Sequence, residues 1–405
     1  MGVMPTKTER VGGATVKVSR RGLARLQDGH VWVYRSDIAA PDDIPPGAQV
    51  AVVDPRGKFL GTALYSSSSQ IAIRMISPEQ VTDLPALVAS RVQAAVAYRE
   101  GIVANTDAYR IVFSEADFLP GLIVDRYHDV ASLQVLTQAM DAQPVRAAIM
   151  DTLVELLQPA GIVERVDPRI RELEHLPARK PGLVYGDRSS TIVTMNSGTA
   201  NGVRVHYDGL EGQKTGAFLD QRENYAAAAR YAHGEALDVF CYQGGFALHL
   251  APKCSSLTGV DSSRPALEMA EKNAALNGRE LEWIEGNAFD LLKDYAAAGR
   301  RYDTIVLDPP AFAKTKRDLD KALRGYKELN LRALKMLRPG GILISCSCSY
   351  HVGASTFLEV VAQASQDAHR TVRILENRAQ AKDHPIVLTI PETAYLKCLI
   401  CHVSI

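Results

Sequence analysis

The sequence predicts an α/β protein in which a doubly wound, mostly parallel sheet follows a small β-barrel and a compact α+β unit, and three observations carry that prediction. The C-terminal half alternates near-continuous apolar strands with amphipathic helices, the pattern of a parallel sheet covered on both faces. Residues 16–77 instead show short alternating runs broken by Gly, Pro and Asp, which read as barrel strands. The stretch between mixes strands with helices, and a chain of 405 residues is too long for one core.

In chain order, the first domain (1–78) offers the strand runs VKV, VWVY, AQVAVV, FLGTALY and QIAIRMI. The second (79–187) opens with a helix over 84–98, then strands at 108–113, 121–127 and 131–135, a helix over 144–157 and a strand near Gly161. It closes at PGLVYGDRSS, which reads as a connecting turn. The third (188–405) places strands at 236–240, 256–260, 281–285, 302–307 and 341–346, with helices over 264–276 and 330–337. Its last segment, PIVLTIPETAYLKCLICHVSI, reads as two strands joined by a short turn that form an antiparallel edge.

Formal net charge is zero, which gives no global drive toward phosphate, because such binding rests on Lys and Arg releasing counterions. The distribution is uneven: residues 1–75 carry ten Lys/Arg against six Asp/Glu, and residues 313–338 carry nine against three. Those segments are either solvated faces or contacts for nucleic acid. No run of about 18 apolar residues is present to span a bilayer, and residues 1–10 lack the apolar core of a secretory signal, so a cytoplasmic location is expected. Six cysteines without a spaced framework point to a reducing compartment and free thiols.

In a doubly wound sheet the ligand lies beyond the C-terminal strand ends. Four successive strands here run into residues suited to hold one. ALDVF leads into Cys241-Tyr242-Gln243-Gly244-Gly245-Phe246, whose paired glycines let the backbone approach a ligand at a helix start. SLTGV ends in Asp261-Ser262; the carboxylate suits two ribose hydroxyls, or caps the following helix. LEWIE leads into Gly286-Asn287-Ala288, suited to a base edge, and YDTIVLD ends in Asp308-Pro309-Pro310. No GxGxxG is present to cradle a pyrophosphate, so a cofactor with one nucleoside and no phosphate fits better.

A neighbouring strand ends in Ser345-Cys346-Ser347-Cys348. Alternation puts both cysteines on one side, with Cys348 nearer the mouth. A thiol there suits methylation of cytosine C5, a poor nucleophile: a thiolate adds to C6, C5 takes the methyl group, the C5 proton leaves and the enzyme is eliminated. Cys348 is the candidate nucleophile; Cys346, Cys241 and Cys254 read as packing residues. Asp308 would hold ring N3, or orient the Pro-Pro turn. Phe312, Tyr350 or Tyr242 would stack on an extruded base, or belong to the core. No metal site is expected, because Cys398 and Cys401, three apart in a strand, would face opposite sides.

These motifs, together with RRGLARLQDGHVWVYRSDI, FSEADFLPGLIVDRY, QKTGAFLDQREN, DVFCYQGGFALHLA, LDPPAFAK and SCSCSY, resemble the ribosomal RNA large subunit methyltransferase I family over nearly the whole chain. The resemblance implies a PUA domain, a central α+β domain and a Rossmann-like methyltransferase domain. It implies S-adenosylmethionine (SAM) as cofactor and C5 of a cytosine in large-subunit ribosomal RNA as target, with no membrane partner; a homodimer is compatible with it. By the same resemblance, residues 213–222 close over the cofactor, with Lys214, Phe218 and Arg222 as contacts. Ala311 stands where many RNA cytosine-C5 methyltransferases carry a second cysteine, so a one-cysteine mechanism follows, with product release helped by another base. The Asp-Pro-Pro loop is also similar to that of enzymes methylating guanine in ribosomal RNA, which need no nucleophile. Guanine N-methylation is therefore one alternative, and a PUA RNA-binding factor with a degenerate catalytic domain is the other.

Overall fold

The computed structural model describes residues 13–41, 43–195, 202–210, 217–313 and 315–405. Its N-terminal sheet has six strands in the order Trp32–Tyr34, Ile71–Ser77, Phe59–Tyr65, Gln49–Val53, Thr15–Val18, Ile38–Ala39. The two end strands are separated only by the turn Arg35–Asp37, so the sheet rolls until its ends approach, around Val16, Val18, Val33, Val50, Val52 and Ile73. One element departs from the all-β expectation: RRGLARLQ forms the helix Arg20–Gln27. Its start is fixed locally, since Ser19 Oγ accepts from Gly22 N at 3.1 Å.

The central sheet has five strands in the order Gly182–Gly186, Gly161–Glu164, Val130–Val135, Leu122–Tyr127, Ala108–Phe113. Helices Leu84–Ile102 and Gln143–Leu157 cover it and bury Val88, Val92, Ile149 and Leu153. PGLVYGDRSS is not simply a connection, because Gly182–Gly186 pairs antiparallel with Gly161–Glu164 as an edge strand. The residues that suggested a turn serve a close approach instead: a Cβ on Gly186 would lie 2.0 Å from the Ala160 carbonyl oxygen. A two-stranded ribbon, Ser190–Met195 with Val203–Asp208, then leads to the third sheet, and Tyr207 stacks on Tyr127 with ring centroids 3.6 Å apart.

Elements of the third unit are numbered within it. Its strands are β1 (Gly234–Val239), β2 (Cys254–Asp261), β3 (Glu282–Glu285), β4 (Tyr302–Leu307), β5 (Leu337–Ser347), β6 (Thr371–Arg378) and β7 (Lys397–Ser404), ordered 3-2-1-4-5-7-6 in the sheet. β1 to β5 run parallel, and β7 pairs antiparallel with both β5 and β6. Helices α1 (Arg222–Ala229), α2 (Gly245–Leu250) and α3 (Arg264–Leu276) pack on one face with the ribbon. α4 (Ala288–Ala297), α5 (Leu319–Met336) and α6 (Ala354–Asp367) cover the other.

The antiparallel edge exists, but its two strands are not both in the last segment. Residues 385–396 hold only the bridge Val387↔Ile390 and the turn Pro391–Thr393, and the partner of β7 is β6. Pro385 and Pro391 lack the N–H that a ladder requires. Among the described residues no helix is long and apolar enough to cross a membrane.

Candidate active site

The sheet order reverses between β1 and β4, which opens a crevice at their C-terminal ends. Leaving β1, the chain turns through left-handed conformations at Phe240 (φ 66°), Tyr242 (φ 50°) and Gly244 (φ 86°). Asp261 at the end of β2 fixes this turn: Oδ2 accepts from Tyr242 N and Oδ1 from Ser263 N, both at 2.9 Å. The cap of α3 is Ser263 rather than Asp261, so the helix-capping alternative for the carboxylate fails. Ser262 lies exposed between them. Gln243 is anchored through its carbonyl, which accepts from Asn273 Nδ2 at 3.2 Å.

The paired glycines have a reason other than ligand approach. A Cβ on Gly244 would lie 3.0 Å from Trp283 Cη2, and one on Gly245 would lie 2.5 Å from Tyr225 Cζ. The protein's own rings thus exclude side chains there. Beneath the turn, Asp238 is buried; Oδ2 accepts from Ala247 N at 2.9 Å while Oδ1 has no protein partner among the described residues. Burial pushes this carboxyl up to about 8, with Asp308 and Asp261 adding to the rise. At the end of β3, Asn287 caps α4 by accepting from Phe289 N at 2.9 Å and Asp290 N at 3.3 Å, and Ala288 is buried beside it.

Asp308 follows β4, where its N–H donates to the Val239 carbonyl at 3.2 Å. Its Oδ1 accepts from Gln221 Nε2 at 2.9 Å. Gln221 is in turn held by Asn224 Nδ2 at 2.7 Å, and Asn224 Oδ1 accepts from Arg378 Nε on β6 at 2.8 Å. The sequence did not single out Gln221, although it lies within the QKTGAFLDQR motif. Cys348 is half-buried just beyond β5, with Sγ 3.8 Å from the Pro309 carbonyl oxygen. The next residue locks the strand exit: Ser349 Oγ accepts from Ala313 N at 3.2 Å and pairs with the Tyr326 hydroxyl at 2.9 Å. The structure therefore brings Cys348 and the Asp308-Pro309-Pro310 loop together.

Cys346 is buried opposite Cys398, and burial pushes its thiol well above the usual range. Cys398 shares its core face, whereas Cys401 packs on the other face of the sheet. Among the described residues no group of three or more potential metal ligands is assembled. Lys397 is a further residue that the sequence reading passed over. Its Nζ donates to the Ser349 carbonyl at 2.7 Å and the Tyr395 carbonyl at 2.8 Å, and burial lowers its ammonium to about 8, with Cys348 pulling the other way. A lone lysine in the apolar run TAYLKCLICHV was the available signal.

Of the segment expected to close over the cofactor, Phe218 meets Tyr242 edge-on at 5.0 Å. Arg222 differs from the expectation. It is buried, with Nη2 3.1 Å from Asp383 Oδ1 and Nη1 donating to the Ala108 carbonyl at 2.7 Å, so it ties this segment to the central sheet. Lys214 lies outside the described residues. Phe312 packs between Phe289 and Tyr326 and belongs to the core, whereas Tyr350 is 46% exposed. Tyr350 borders a cavity of about 460 Å³ where the three sheets meet. Its wall includes Trp32 from the first sheet, Phe113 from the second, and Phe218, Asp220 and Tyr395 from loops and turns of the third unit. The Tyr395 hydroxyl donates to Asp220 Oδ2 at 2.6 Å.

Known proteins resemble this arrangement. Residues 16–78 match the family model of a PUA-like domain, and residues 183–399 match that of the S-adenosylmethionine-dependent methyltransferases. Ribosomal RNA large subunit methyltransferase I of Photobacterium profundum is 36% identical over 390 residues, which cover 94% of this chain and 96% of the relative. The protein of the same name from Tolumonas auensis is 39% identical over 395 residues, covering 95% and 98%. Among solved structures, a methyltransferase complexed with SAH superposes with a TM-score of 0.81 at 19% identity, over 96% of this chain and 99% of that one. A structure described as a SAM-dependent methyltransferase from Streptococcus mutans gives 0.80 at 19% identity, with the same coverage. At that identity the likeness is one of fold.

Proposed function

This chain belongs to the ribosomal RNA large subunit methyltransferase I family and is a SAM-dependent methyltransferase, and on that premise we propose that it methylates large-subunit ribosomal RNA at C5 of a cytosine. The observation that carries the choice of atom is the half-buried thiol of Cys348 against the Pro309 carbonyl, one residue from Asp308. A guanine N-methyltransferase has no use for a nucleophile at that spot.

SAM supplies the methyl group as an electrophile. The residues at hand fit it: Asp261 offers a carboxylate at the crevice, and the orphaned Oδ1 of Asp238 leaves an unengaged hydrogen-bonding oxygen under the turn. Tyr242, Gln243, Gly244, Asp261, Ser262, Asn287, Ala288 and Asp308 would hold it, with Phe218 closing over it; Lys214 stays a contact implied by the resemblance alone. Arg222 holds the closing segment in place through Asp383 rather than touching the cofactor.

The target base must leave its stack to reach a thiol at the bottom of a crevice. The ring-lined cavity between Trp32, Tyr350 and Tyr395 receives it, with stacking in place of the lost base neighbours. The Cys348 thiolate forms a bond from Sγ to C6 as the C5=C6 π bond opens and its electron pair moves onto C5 and the ring, and Asp308, oriented by Gln221, shares a proton with ring N3 to spread that charge. C5 then accepts the methyl group, a base removes the C5 proton, and the Sγ–C6 bond breaks to release the thiolate.

Three measurements test the reading. Nucleosides of large-subunit ribosomal RNA from cells lacking the gene should have lost 5-methylcytidine; a lost methylguanosine would overturn it. In vitro, Cys348→Ala should abolish methyl transfer while calorimetry finds SAM affinity unchanged. RNA carrying 5-fluorocytosine, which has no C5 proton to lose, should trap a covalent adduct on Cys348, and a fully active Cys348→Ala enzyme would sink the mechanism.

A further inference from the structure

Lys397 is only 8% exposed, and the partners of its Nζ among the described residues are backbone carbonyls rather than a carboxylate. A buried charge without a counter-charge is costly, so its position calls for a physical reason. It stands opposite Ser347 in the β5·β7 register, which brings its side chain beside the strand exit that carries Cys348. The carbonyls of Ser349 and Tyr395 each take one N–H from Nζ.

Hydrogen counting then becomes informative. A neutral amine has two N–H groups and one lone pair, whereas an ammonium has three N–H groups. With two N–H groups committed to carbonyls in either state, one position remains, and it is a lone pair or a third donor according to protonation. The titratable and charged groups around it are few. Cys348, just beyond β5, is one residue from the Ser349 carbonyl that holds Nζ, and the Tyr326 hydroxyl on α5 is engaged with Ser349 Oγ. The Tyr395 phenol is engaged with Asp220, and Asp308 with Gln221. Cys348 is the one whose charge state couples to that of the lysine.

We propose that Lys397 activates Cys348, its buried ammonium beside the strand exit holding the thiol as the thiolate that attacks the base. The S–H bond breaks, the proton leaves to solvent, and the electron pair stays on sulfur. Burial draws the lysine down to about 8, which leaves it an ammonium at neutral pH. The long contact from Sγ to the Pro309 carbonyl favours the thiol form, and Lys397 is its counterweight. The proposal rests on Cys348 being the nucleophile, but its test needs no RNA.

The full-length protein is alkylated with iodoacetamide across pH 5.5–10, and modification of the peptide containing Cys348 is followed by mass spectrometry. Wild-type Cys348 should titrate below the ordinary thiol value of about 8.5. Lys397→Met, which keeps the stem and removes the charge, should raise the midpoint by about one pH unit or more. Lys397→Arg, whose fixed charge still attracts the thiolate, should keep it low. A wild-type midpoint at or above 8.5 overturns the proposal with no variant at all, and so do superimposable profiles for wild type and a Lys397→Met protein shown by thermal melting to be folded. A wild type with a low Cys348 midpoint that makes methylguanosine would refute the cytosine reading while supporting this pairing.

Discussion

A Cβ added to Gly259 on β2 would lie 2.4 Å from Trp283 Cζ3 and 3.1 Å from Cys241 Sγ, and the same tryptophan limits Gly244 in the turn after β1. The indole is thus the gauge for two backbone segments of the cofactor crevice. Gly259→Ala is expected to destabilise the protein by about 1–3 kcal/mol, the usual range for overpacking a close-packed site. Because Trp283 must shift, SAM affinity should fall as well; calorimetry that finds both stability and affinity unchanged would refute the packing argument. In the sequence Gly244-Gly245 reads as room for a ligand, since glycine advertises missing volume. What occupies that volume is set by contacts from β3 and α1, which no local pattern reveals. Asp261, Asp308 and Cys348 could be read because each ends a strand of obvious apolar character. Lys397 and Gln221 could not, because their roles come from pairing across β5·β7 and from a relay to β6.

Among the elements, β1, β2, β4 and β5 announce themselves as apolar runs because the sheet is covered on both faces. The edges do not: β6 (TVRILENR) has a half-solvated pattern, and Gly182–Gly186 is exposed along most of its length. The strap formed by residues 379–384 between β6 and β7 was equally silent, yet it carries Asp383, on which Arg222 and the Arg110 N–H converge at 3.1 Å and 2.8 Å. Although burial opposes it, the charges of His384 and Arg222 hold the Asp383 carboxyl well below the usual carboxylate range. A depressed carboxylate stabilises the fold above its unfolded pKa of about 3.9, and the contribution disappears as pH falls through the folded value. Asp383→Asn leaves the Arg222 guanidinium buried without its partner and should cost about 3–5 kcal/mol at pH 7. Urea titrations should show the gap between wild type and Asp383→Asn narrowing below about pH 4; a gap that widens on acidification would exclude the carboxylate as its source.

For the molecule as a whole, the basic segments are less basic than their composition suggests. Lys327 pairs with Asp367, Arg332 with Glu328, and Arg338 with both Asp303 and Glu235, which among the described residues leaves Arg317, Lys321, Arg324 and Lys335 exposed on the segment 313–338. Charge density therefore does not by itself define an RNA track, and the stronger pointer is the cavity to which all three units contribute rings. Trp32 fixes that assembly by donating from Nε1 to Glu115 Oε1 at 3.0 Å, while His30 Nε2 meets Glu392 Oε2 at 2.8 Å across the boundary with the third sheet. An unstacked base held by an aromatic ring gains about 1–3 kcal/mol, and since about 1.4 kcal/mol is a factor of ten, losing the ring should lower kcat/KM for RNA by roughly 5- to 150-fold. Trp32→Ala should show that loss with SAM affinity unchanged, because Trp32 is not among the residues that would hold the cofactor. Trp32→Phe, which keeps a stacking face but drops the bond to Glu115, should recover most of the activity if stacking dominates. Equal defects in the two variants would assign the role to the Glu115 bond, and a Trp32→Ala enzyme as active as wild type would remove the cavity from the path of the substrate base.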